Sequence, residues 1–461
     1  MTIFRNFDAQ DGPLTARRIE TFLRGQIEAG VLSSGAKLPP IRETAWQIGC
    51  APGTVARAYR ALVVAGLAHG EVGRGTFIGS GGQADPFPMR APPPEAVADF
   101  SVNSFQMEDA SGLLAEALHR SAARVASGAL SLTYQGLEGG RENREAVVPL
   151  ISRWRSGVTA EDIVVASGAQ SLLSAAFLAL RDPGAGVACD ALTYPGVIAA
   201  AVATGTKLHP VRMDAQGMCP EALDALCRKV PVSQVFLMPA VQNPTGGAMP
   251  DARRSALAES AARHRLTVLE DQVYGFLEEP GRTGFSDLIP ERTLLMFSLS
   301  KCVAPALRVG YAAGPAAMIR RLASAQNALQ MMVSPVLTDA ANWILGLPAF
   351  EERLARLREG SARRADYVAE RLPGLVPDRL SRGVAWLSLP EGWTEDGFCA
   401  EAEALGVRVS PGRLFAADAR TAPGAVRLCL ASVPDETRFR AAIDRIAGLC
   451  QRPGTRSEFA P

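Results

Sequence analysis

Primary amines are scarce in this sequence. Only four of its 461 residues are lysine, at positions 37, 207, 229 and 301, although the chain has 44 arginines. Histidine is as rare, with four residues, and none forms the H-E-x-x-H pattern of a zinc protease. The eight cysteines include no C-x-x-C pair, which argues against a disulfide framework or a zinc site. We therefore expect no bound metal and a reducing compartment.

Long apolar runs are also missing. The most apolar stretch, residues 163–180, is interrupted by serine, glycine and glutamine, which suits a strand followed by a helix better than a membrane span. Arg5, Asp8 and Asp11 interrupt the N-terminal residues, so no signal peptide is expected. The sequence predicts a cytoplasmic protein with no membrane partner.

The length and one proline-rich stretch predict at least two folding units. A chain of 461 residues exceeds what one hydrophobic core usually fills. Residues 80–98 hold five prolines and little apolar periodicity, which is typical of an extended linker. This gives a first unit at 1–79, a second at 99–452 and a tail at 453–461. The first unit has nine Lys+Arg against six Asp+Glu, an excess that alone is weak support for a nucleic-acid partner.

The first unit has the pattern of three helices followed by a hairpin. Apolar residues at 19, 22, 23 and 27 predict an amphipathic helix that ends near Gly30. A second helix is expected at about 41–48, then a tight turn, then a third helix that starts at Pro52 and turns Val55 and Tyr59 inward. Glycines between short apolar runs at 67–78 predict a two-stranded wing.

These segments resemble the winged helix-turn-helix of the GntR regulators. The matching motifs are G-x-L-x-x-G-x-x-L-P-x-x-R at 30–42, T-V-x-x-A-Y-x-x-L at 54–62 and G-R-G-T-F at 73–77. The resemblance implies that the outer side of the third helix enters a DNA major groove and that flanking basic residues contact phosphates or the minor groove. The expected DNA-contacting residues are Arg42, Thr54, Arg57, Arg60 and Arg74.

Any one of these side chains equally fits an ordinary solvated surface, and the sequence departs from the family in two places. Ala51 and Pro52 stand where the family often has serine and arginine, and Pro40 stands where it often has serine. One basic contact and one capping hydroxyl are therefore missing. DNA binding is expected to be weaker, or its sequence preference different.

In the second unit, short apolar runs alternate with helical patterns, which predicts an α/β sheet with helices on both faces. The runs are 163–166, 187–189, 207–211, 235–238, 267–269 and 294–297. Ligands of such sheets lie beyond the carboxyl ends of the strands. Lys301 follows the last of these runs, where a primary amine could form a Schiff base with an aldehyde. A surface lysine is the other interpretation.

Further polar residues follow other strands of the predicted sheet. Asp271 could hold a pyridinium nitrogen or simply cap a strand, and Asn243 could donate to a ring oxygen or simply end a turn before proline. Tyr194 could stack on a ring or serve packing. A helix start at 168–170 offers backbone amides to a phosphate. Gly168, Ala169 and Gln170 form this site, and Ser298 and Arg308 could complete it.

The motifs N-P-T-G at 243–246, D-x-x-Y at 271–274 and S-x-S-K at 298–301 resemble those of fold-type I aminotransferases, which use pyridoxal phosphate. The resemblance implies that Lys301 carries the cofactor, Asp271 faces its pyridine nitrogen, and Asn243 and Tyr274 face its ring oxygen. Tyr134 would reach a partner subunit's phosphate. Arg427 would bind a substrate α-carboxylate, although an edge salt bridge is its other interpretation. A smaller α+β domain is expected at about 355–452, beside a large, mostly parallel sheet.

A GntR-like reader joined to an aminotransferase-like unit resembles the MocR subfamily of bacterial regulators. The resemblance implies a homodimeric transcriptional regulator that depends on pyridoxal phosphate and binds paired DNA half-sites. We expect this regulator to sense an amino acid or another primary amine through an external aldimine. The chain keeps Asn243 where part of the subfamily has H-Q-F-P-T-G. Two alternatives stay open: an active aminotransferase with an appended reader, and a sensor of pyridoxal phosphate that controls vitamin B6 supply.

Overall fold

The computed structural model describes residues 14–28, 36–64, 67–71, 75–78, 96–105, 109–279, 281–377, 382–418 and 423–454, with isolated residues between them. The chain divides into two compact units, Met1–Pro88 and Met89–Pro461. Several sequence predictions fall outside the described residues: Gly30, Gly73 and Arg74, most of the linker at 80–98, and the tail from 455 onward. They stay predictions.

The first unit is a winged helix-turn-helix, as the sequence predicts. Its helices are α1 (Ala16–Glu28), α2 (Ile41–Ile48) and α3 (Pro52–Val64), and its wing consists of β1 (Ala68–Glu71) and β2 (Gly75–Ile78). The two strands are antiparallel. Gly49 ends α2 with a φ of +71°, which a glycine adopts without strain, and this makes the short turn into α3 possible.

A buried hydrogen-bond pair fixes α2 against α3. Thr44 Oγ1 lies 2.9 Å from the Tyr59 hydroxyl, and that hydroxyl donates to the Pro39 carbonyl oxygen at 3.1 Å. Burial raises the pKa of Tyr59 to about 12, so the group keeps its hydrogen at physiological pH. The inward positions of the third helix that the sequence predicts are fully buried here, which completes a small core.

The second unit is built on a seven-stranded sheet. Its strand order is β4-β12-β11-β10-β9-β5-β6, and only β12 runs antiparallel to its neighbours. In chain order, the strands of the second unit as far as β12 are β3 (Ala98–Asp99), β4 (Ile163–Ala166), β5 (Gly186–Asp190), β6 (Leu208–Val211), β7 (Met213–Asp214), β8 (Gly217–Met218), β9 (Val232–Leu237), β10 (Thr267–Asp271), β11 (Thr293–Ser298) and β12 (Gly310–Ala313). Of these, β3, β7 and β8 lie outside the seven-stranded sheet. All six predicted runs coincide with strands of this sheet, except that Lys207 and Met238 lie one residue outside β6 and β9.

Helices cover the sheet, and its strands β4, β5 and β11 are buried along their whole length. They are α4 (Ala110–Ala126), α5 (Arg141–Ile151), α6 (Ala169–Ala179), α7 (Pro195–Ala203), α8 (Pro220–Cys227), α9 (Asp251–Arg263), α10 (Phe285–Leu288), α11 (Ala316–Gln330) and α12 (Pro335–Leu345). Within the described ranges, no helix combines the length and apolar character needed to cross a membrane.

A second, smaller layer follows the large sheet. It contains α13 (Ala349–Arg371), β13 (Val384–Ser388), α14 (Glu395–Ala404), β14 (Val407–Arg408), β15 (Ser410–Pro411), β16 (Ala425–Cys429) and α15 (Glu436–Cys450). Strands β13, β16 and β15 form an antiparallel sheet, and β14 pairs with β3. The predicted small domain at about 355–452 therefore lacks one strand, since β3 comes from the start of the unit.

An arginine is buried under the loop that leaves β9. Arg254 on α9 is 1% exposed and donates to the carbonyl oxygens of Met249, Pro239 and Thr283 at 3.0, 3.2 and 3.1 Å. It also forms an ion pair with Glu278, which is buried too. One guanidinium thus ties together two segments behind the carboxyl ends of β9 and β10, the one between β9 and α9 and the one between β10 and α10.

Candidate functional site

The candidate site lies at the edge of the large sheet where parallel strands end. Asp271 is the last residue of β10, and Ser298 is the last residue of β11. Asn243 lies in the loop after β9, and its bond to Pro244 is cis. These ends meet because β9, β10 and β11 are neighbours in the sheet. Side chains selected from separate sequence motifs therefore gather at one edge.

Lys301 lies in the loop that follows β11. Its Nζ atom donates a hydrogen bond to the carbonyl oxygen of Asn103. Burial lowers the pKa of Lys301 to about 8, and a nearby thiol and carboxylate limit that shift. An amine with this pKa is partly neutral at physiological pH, so Lys301 is a better nucleophile than an ordinary exposed lysine.

The lowered pKa of Lys301 predicts how attachment of an aldehyde depends on pH. The rate constant for attachment of pyridoxal phosphate to the apoprotein should rise about tenfold per pH unit while the amine is protonated, and level off above its pKa of about 8. Stopped-flow absorbance measures this rate, with N-acetyl-lysine amide as the matched free amine. A rate that continued to rise to the pKa of the free amine would contradict the prediction.

Two groups beside Lys301 suit an aromatic ring with a basic nitrogen and a phenolic oxygen. Asp271 Oδ1 accepts from the Val273 amide at 3.0 Å. Burial raises the pKa of Asp271 to about 7, so a cationic partner is needed to keep it fully ionised at neutral pH. The Tyr274 hydroxyl accepts a hydrogen bond from Asn103 Nδ2, and burial raises the pKa of Tyr274 well above its usual value.

An anion cradle lies at the start of α6. Gly168 precedes the helix with a φ of +88°, and the first amides of the helix have no carbonyl partner within it. Arg308 Nη2 donates to the Ser167 carbonyl oxygen at 2.8 Å. A Cβ atom on Gly168 would lie 2.8 Å from that Nη2 atom, so a larger residue would have to displace the guanidinium as well as adopt the positive φ. Ser298 Oγ, at the end of β11, donates a hydrogen bond to the Val309 carbonyl oxygen at 3.1 Å.

The donors and acceptors at this edge fit pyridoxal phosphate. A nucleophilic amine, a buried carboxylate and a glycine-walled anion cradle match the aldehyde, pyridine nitrogen and phosphate of that molecule. Gln170 of the cradle donates to the Gly196 carbonyl oxygen at 2.8 Å, and its Oε1 atom is buried with no partner among the described residues. That oxygen can accept a hydrogen bond only from a further donor, so it is not itself a phosphate contact.

Arg427 on β16 brings a cation to the same site. It is 4% exposed and donates to the Ser101 carbonyl oxygen, and to Ser410 Oγ at 3.3 Å. Its Nη1 atom lies 3.5 Å from Asn243 Oδ1. The guanidinium also stacks 5.0 Å from the ring centroid of Phe415. A planar, buried guanidinium held in this way suits bidentate binding of a carboxylate.

The structure adds two residues that the sequence analysis missed. Asn103 contacts both Lys301 and Tyr274, and the Cys429 thiol donates to Asn103 Oδ1 at 3.4 Å. Asn103 precedes the large sheet in the chain, so no strand-end argument selects it. Cys429 had a usable signal, because it lies two residues after Arg427 on one strand and therefore on the same face.

Two tyrosines of the predicted site lie in different surroundings. Tyr194 directly precedes α7 and is partly buried, and burial raises its pKa in an environment that includes Asp271, Arg308 and Arg427. Tyr134 is 77% exposed within the single chain. Its predicted contact with a partner subunit's phosphate stays a prediction.

The structure describes four of the five predicted DNA-contacting residues. Arg42 on α2 and Arg57 and Arg60 on α3 are all exposed. Thr54 is not on the outer side of α3 as predicted: it is 9% exposed, and its hydroxyl accepts from Arg57 Nη2 at 3.4 Å. Pro52 and Gly53 at the start of α3 are exposed, but Thr54 lies beside Val55 on the buried side of the helix, which explains the difference. Arg74 lies outside the described residues.

Comparison with known proteins agrees with this architecture. A model of class I and II aminotransferases matches residues 95–446, and a model of the gntR family of bacterial regulatory proteins matches residues 15–78. The HTH-type transcriptional regulator YjiR of Escherichia coli is 29% identical over 471 residues, which cover 95% of this chain and 98% of that protein. The vitamin B6 salvage pathway transcriptional repressor PtsJ of Salmonella typhimurium is 27% identical over 414 residues, with coverages of 85% and 91%.

The fold of the second unit is also found among solved structures. The crystal structure of LysN, an α-aminoadipate aminotransferase of Thermus thermophilus complexed with N-(5'-phosphopyridoxyl)-L-leucine, matches with a TM-score of 0.69 at 24% identity. The match covers 77% of this chain and 92% of that chain. The chain therefore belongs to the class I and II aminotransferase family and carries an N-terminal gntR-type domain, the combination found in the MocR subfamily of regulators.

Proposed function

We propose that this protein is a DNA-binding transcriptional regulator that holds pyridoxal phosphate on Lys301 and senses a primary amine, most favourably an α-amino acid. One observation carries the proposal. Lys301, with its lowered pKa, and the buried, oriented guanidinium of Arg427 face the same site. The first unit of the same chain presents arginines on a helix-turn-helix. The guanidinium matches the carboxylate of an α-amino acid, and an aldehyde held on Lys301 would react with its amino group.

Each residue of the site has a part in this proposal. Asp271 would hold the protonated pyridine nitrogen, and Ser298, Arg308 and the first amides of α6 would hold the phosphate. When bound, pyridoxal phosphate supplies an aldehyde that joins a primary amine and an aromatic ring that absorbs visible light. Arg427 would orient the carboxylate of the effector, and Asn243 would contact the ring oxygen beside it.

We propose that the protein acts as a homodimer. The predicted role of Tyr134 requires a second subunit, and its side chain is 77% exposed in the single chain. Paired readers also suit paired half-sites on DNA. An effector can regulate DNA binding only if it binds two arrangements of the paired helix-turn-helix units with different affinities. A DNA-binding assay must therefore measure how much the effector changes the affinity for DNA.

A catalytic aminotransferase is the second candidate function. It is favoured by Asn243, which lies within 3.5 Å of Arg427 and completes the residue set expected of a working enzyme. Under this proposal Lys301 also moves a proton between two positions of the substrate, which a pKa of about 8 suits. A sensor of pyridoxal phosphate is a third candidate, and the similarity to a vitamin B6 salvage repressor favours it.

One experiment separates the three candidates. The holoprotein is mixed with each amino acid in turn, while visible absorbance, keto-acid release and retention of operator DNA are measured in parallel. A lasting spectral change with altered DNA retention supports the amine sensor. Keto-acid release over many turnovers supports the aminotransferase. DNA retention that responds to pyridoxal phosphate but to no amine supports the cofactor sensor and contradicts our proposal.

Arg427→Gln should weaken the response to amino acids selectively. Loss of one partner of a buried, hydrogen-bonded charge pair costs about 2 kcal/mol or more, so the effector concentration for half-maximal absorbance change should rise about 30-fold or more. The response to the decarboxylated amine of the same side chain should change little. Arg413→Gln is the matched control, because Arg413 is exposed and pairs with Asp396 at 2.7 Å. Equal loss for both ligands would contradict carboxylate binding by Arg427.

A further inference from the structure

Asn103 makes three contacts within the site, each with a different atom. Its Nδ2 atom donates to the Tyr274 hydroxyl, its Oδ1 atom accepts from Cys429 Sγ at 3.4 Å, and its carbonyl oxygen accepts from Lys301 Nζ. The residue belongs to the segment that leaves β3 and passes across the strand ends. No motif in the sequence assigns it a role.

The contacts determine which way the amide faces. A thiol can donate to a carbonyl oxygen but is a poor acceptor, so Cys429 selects Oδ1 and leaves the NH2 group toward Tyr274. Since that NH2 group can only donate, the Tyr274 oxygen is the acceptor in this pair. The single hydrogen of the Tyr274 hydroxyl is then free for a different acceptor.

The ring of Tyr274 is held at the same time. Phe105, in the same segment as Asn103, packs against it with ring centroids 5.8 Å apart. Tyr274 is 1% exposed, so its hydroxyl has few directions available. Packing thus fixes the position of the oxygen, and the amide of Asn103 fixes the direction of its hydrogen.

We infer that Asn103 is a positioning residue, which directs the Tyr274 hydroxyl hydrogen toward the ring oxygen of the cofactor proposed above. This inference rests on that proposed function. The Tyr274 hydroxyl would be a second donor to the ring oxygen, beside Asn243. It would compete there with the proton on the nitrogen that links Lys301 to the cofactor, and so would favour loss of that proton from the nitrogen. Removing the amide should therefore make the nitrogen hold its proton more tightly.

The test is a pH titration of the visible absorbance of the holoprotein. For Asn103→Ala we expect the midpoint to rise by about 0.5 to 1 unit, the equivalent of one lost hydrogen bond. Asn103→Asp should raise it further, because a carboxylate accepts the phenol hydrogen instead of orienting it. The backbone carbonyl that contacts Lys301 is present in every variant, so these substitutions isolate the side chain. Thermal unfolding checks that the variants fold.

Two controls separate positioning from a purely structural role. Ser104→Ala removes a buried hydroxyl from the same segment, and its midpoint should match that of the wild type. In a Tyr274→Phe background, Asn103→Ala should cause no further shift, because the hydrogen that it directs is gone.

An unshifted midpoint in Asn103→Ala, or an undiminished shift in the Tyr274→Phe background, would overturn the inference and leave the proposed function intact. Absence of a visible lysine-linked band in the wild-type protein would overturn both.

Discussion

Lys301→Ala is expected to abolish covalent attachment of pyridoxal phosphate and every spectral response to amines. Lys301 is the lysine whose Nζ atom lies inside the site, bonded to Asn103, and burial lowers its pKa to about 8. Arginine cannot replace it, because a guanidinium stays protonated and forms no imine. Borohydride reduction of the holoprotein followed by peptide mass mapping measures the attachment directly.

The scarcity of lysine makes this experiment easy to interpret. Lys207 and Lys229 are exposed lysines of the same unit and serve as matched controls. Lys207→Ala and Lys229→Ala each remove a primary amine without changing the site. Both variants should retain the reduced label in the peptide that contains Lys301. A label found at either control position, or retained in Lys301→Ala, would remove the basis of the proposed function.

Arg254→Met is expected to destabilise the second unit strongly. The substitution leaves the buried carboxylate of Glu278 without its ion pair and removes the guanidinium donor from three carbonyl oxygens, of which that of Pro239 keeps the Met249 amide. Removing one partner of a buried pair typically costs about 3–5 kcal/mol. Urea denaturation followed by circular dichroism measures the change in the free energy of unfolding.

The matched control is on the same helix. Arg263 is 56% exposed and pairs with Asp224 at 2.6 Å, so Arg263→Met should cost less than about 1 kcal/mol. In the Arg254→Met background, Glu278→Leu should restore part of the stability, because it removes the uncompensated charge. Equal effects of Arg254→Met and Arg263→Met would show that burial of the first pair has no special importance.

Local patterns predicted much of the fold. Apolar runs of strand length, separated by helical patterns, indicate the sheet because buried parallel strands are apolar on both faces. The strand β12 was not predicted: Gly310–Ala313 is short and rich in small residues, and it follows Arg308, whose φ of +51° no local pattern signals. Its pairing with β4 and β11 depends on residues far away in the chain.

The site was predictable where chemistry follows a strand end, and not elsewhere. Asp271, Ser298 and Lys301 could be selected because the carboxyl ends of neighbouring parallel strands lie together. Asn103 reaches Lys301 across 198 sequence positions, and no spacing rule connects them. Thr54 shows the opposite error, since helical periodicity places a residue on a face but does not say how far the packing extends around the helix.

The carbonyl oxygen of Ser101 accepts a hydrogen bond from Arg427, the side chain proposed to bind the carboxylate of an amino acid effector. A bound effector must therefore displace the protein's own backbone from that guanidinium. The dissociation constant measured for such an effector includes the free energy of that exchange, and is weaker than the intrinsic affinity by the fraction of molecules in which the segment at Ser101 has released Arg427. Substitutions that loosen this segment should tighten effector binding without adding a single contact to the ligand.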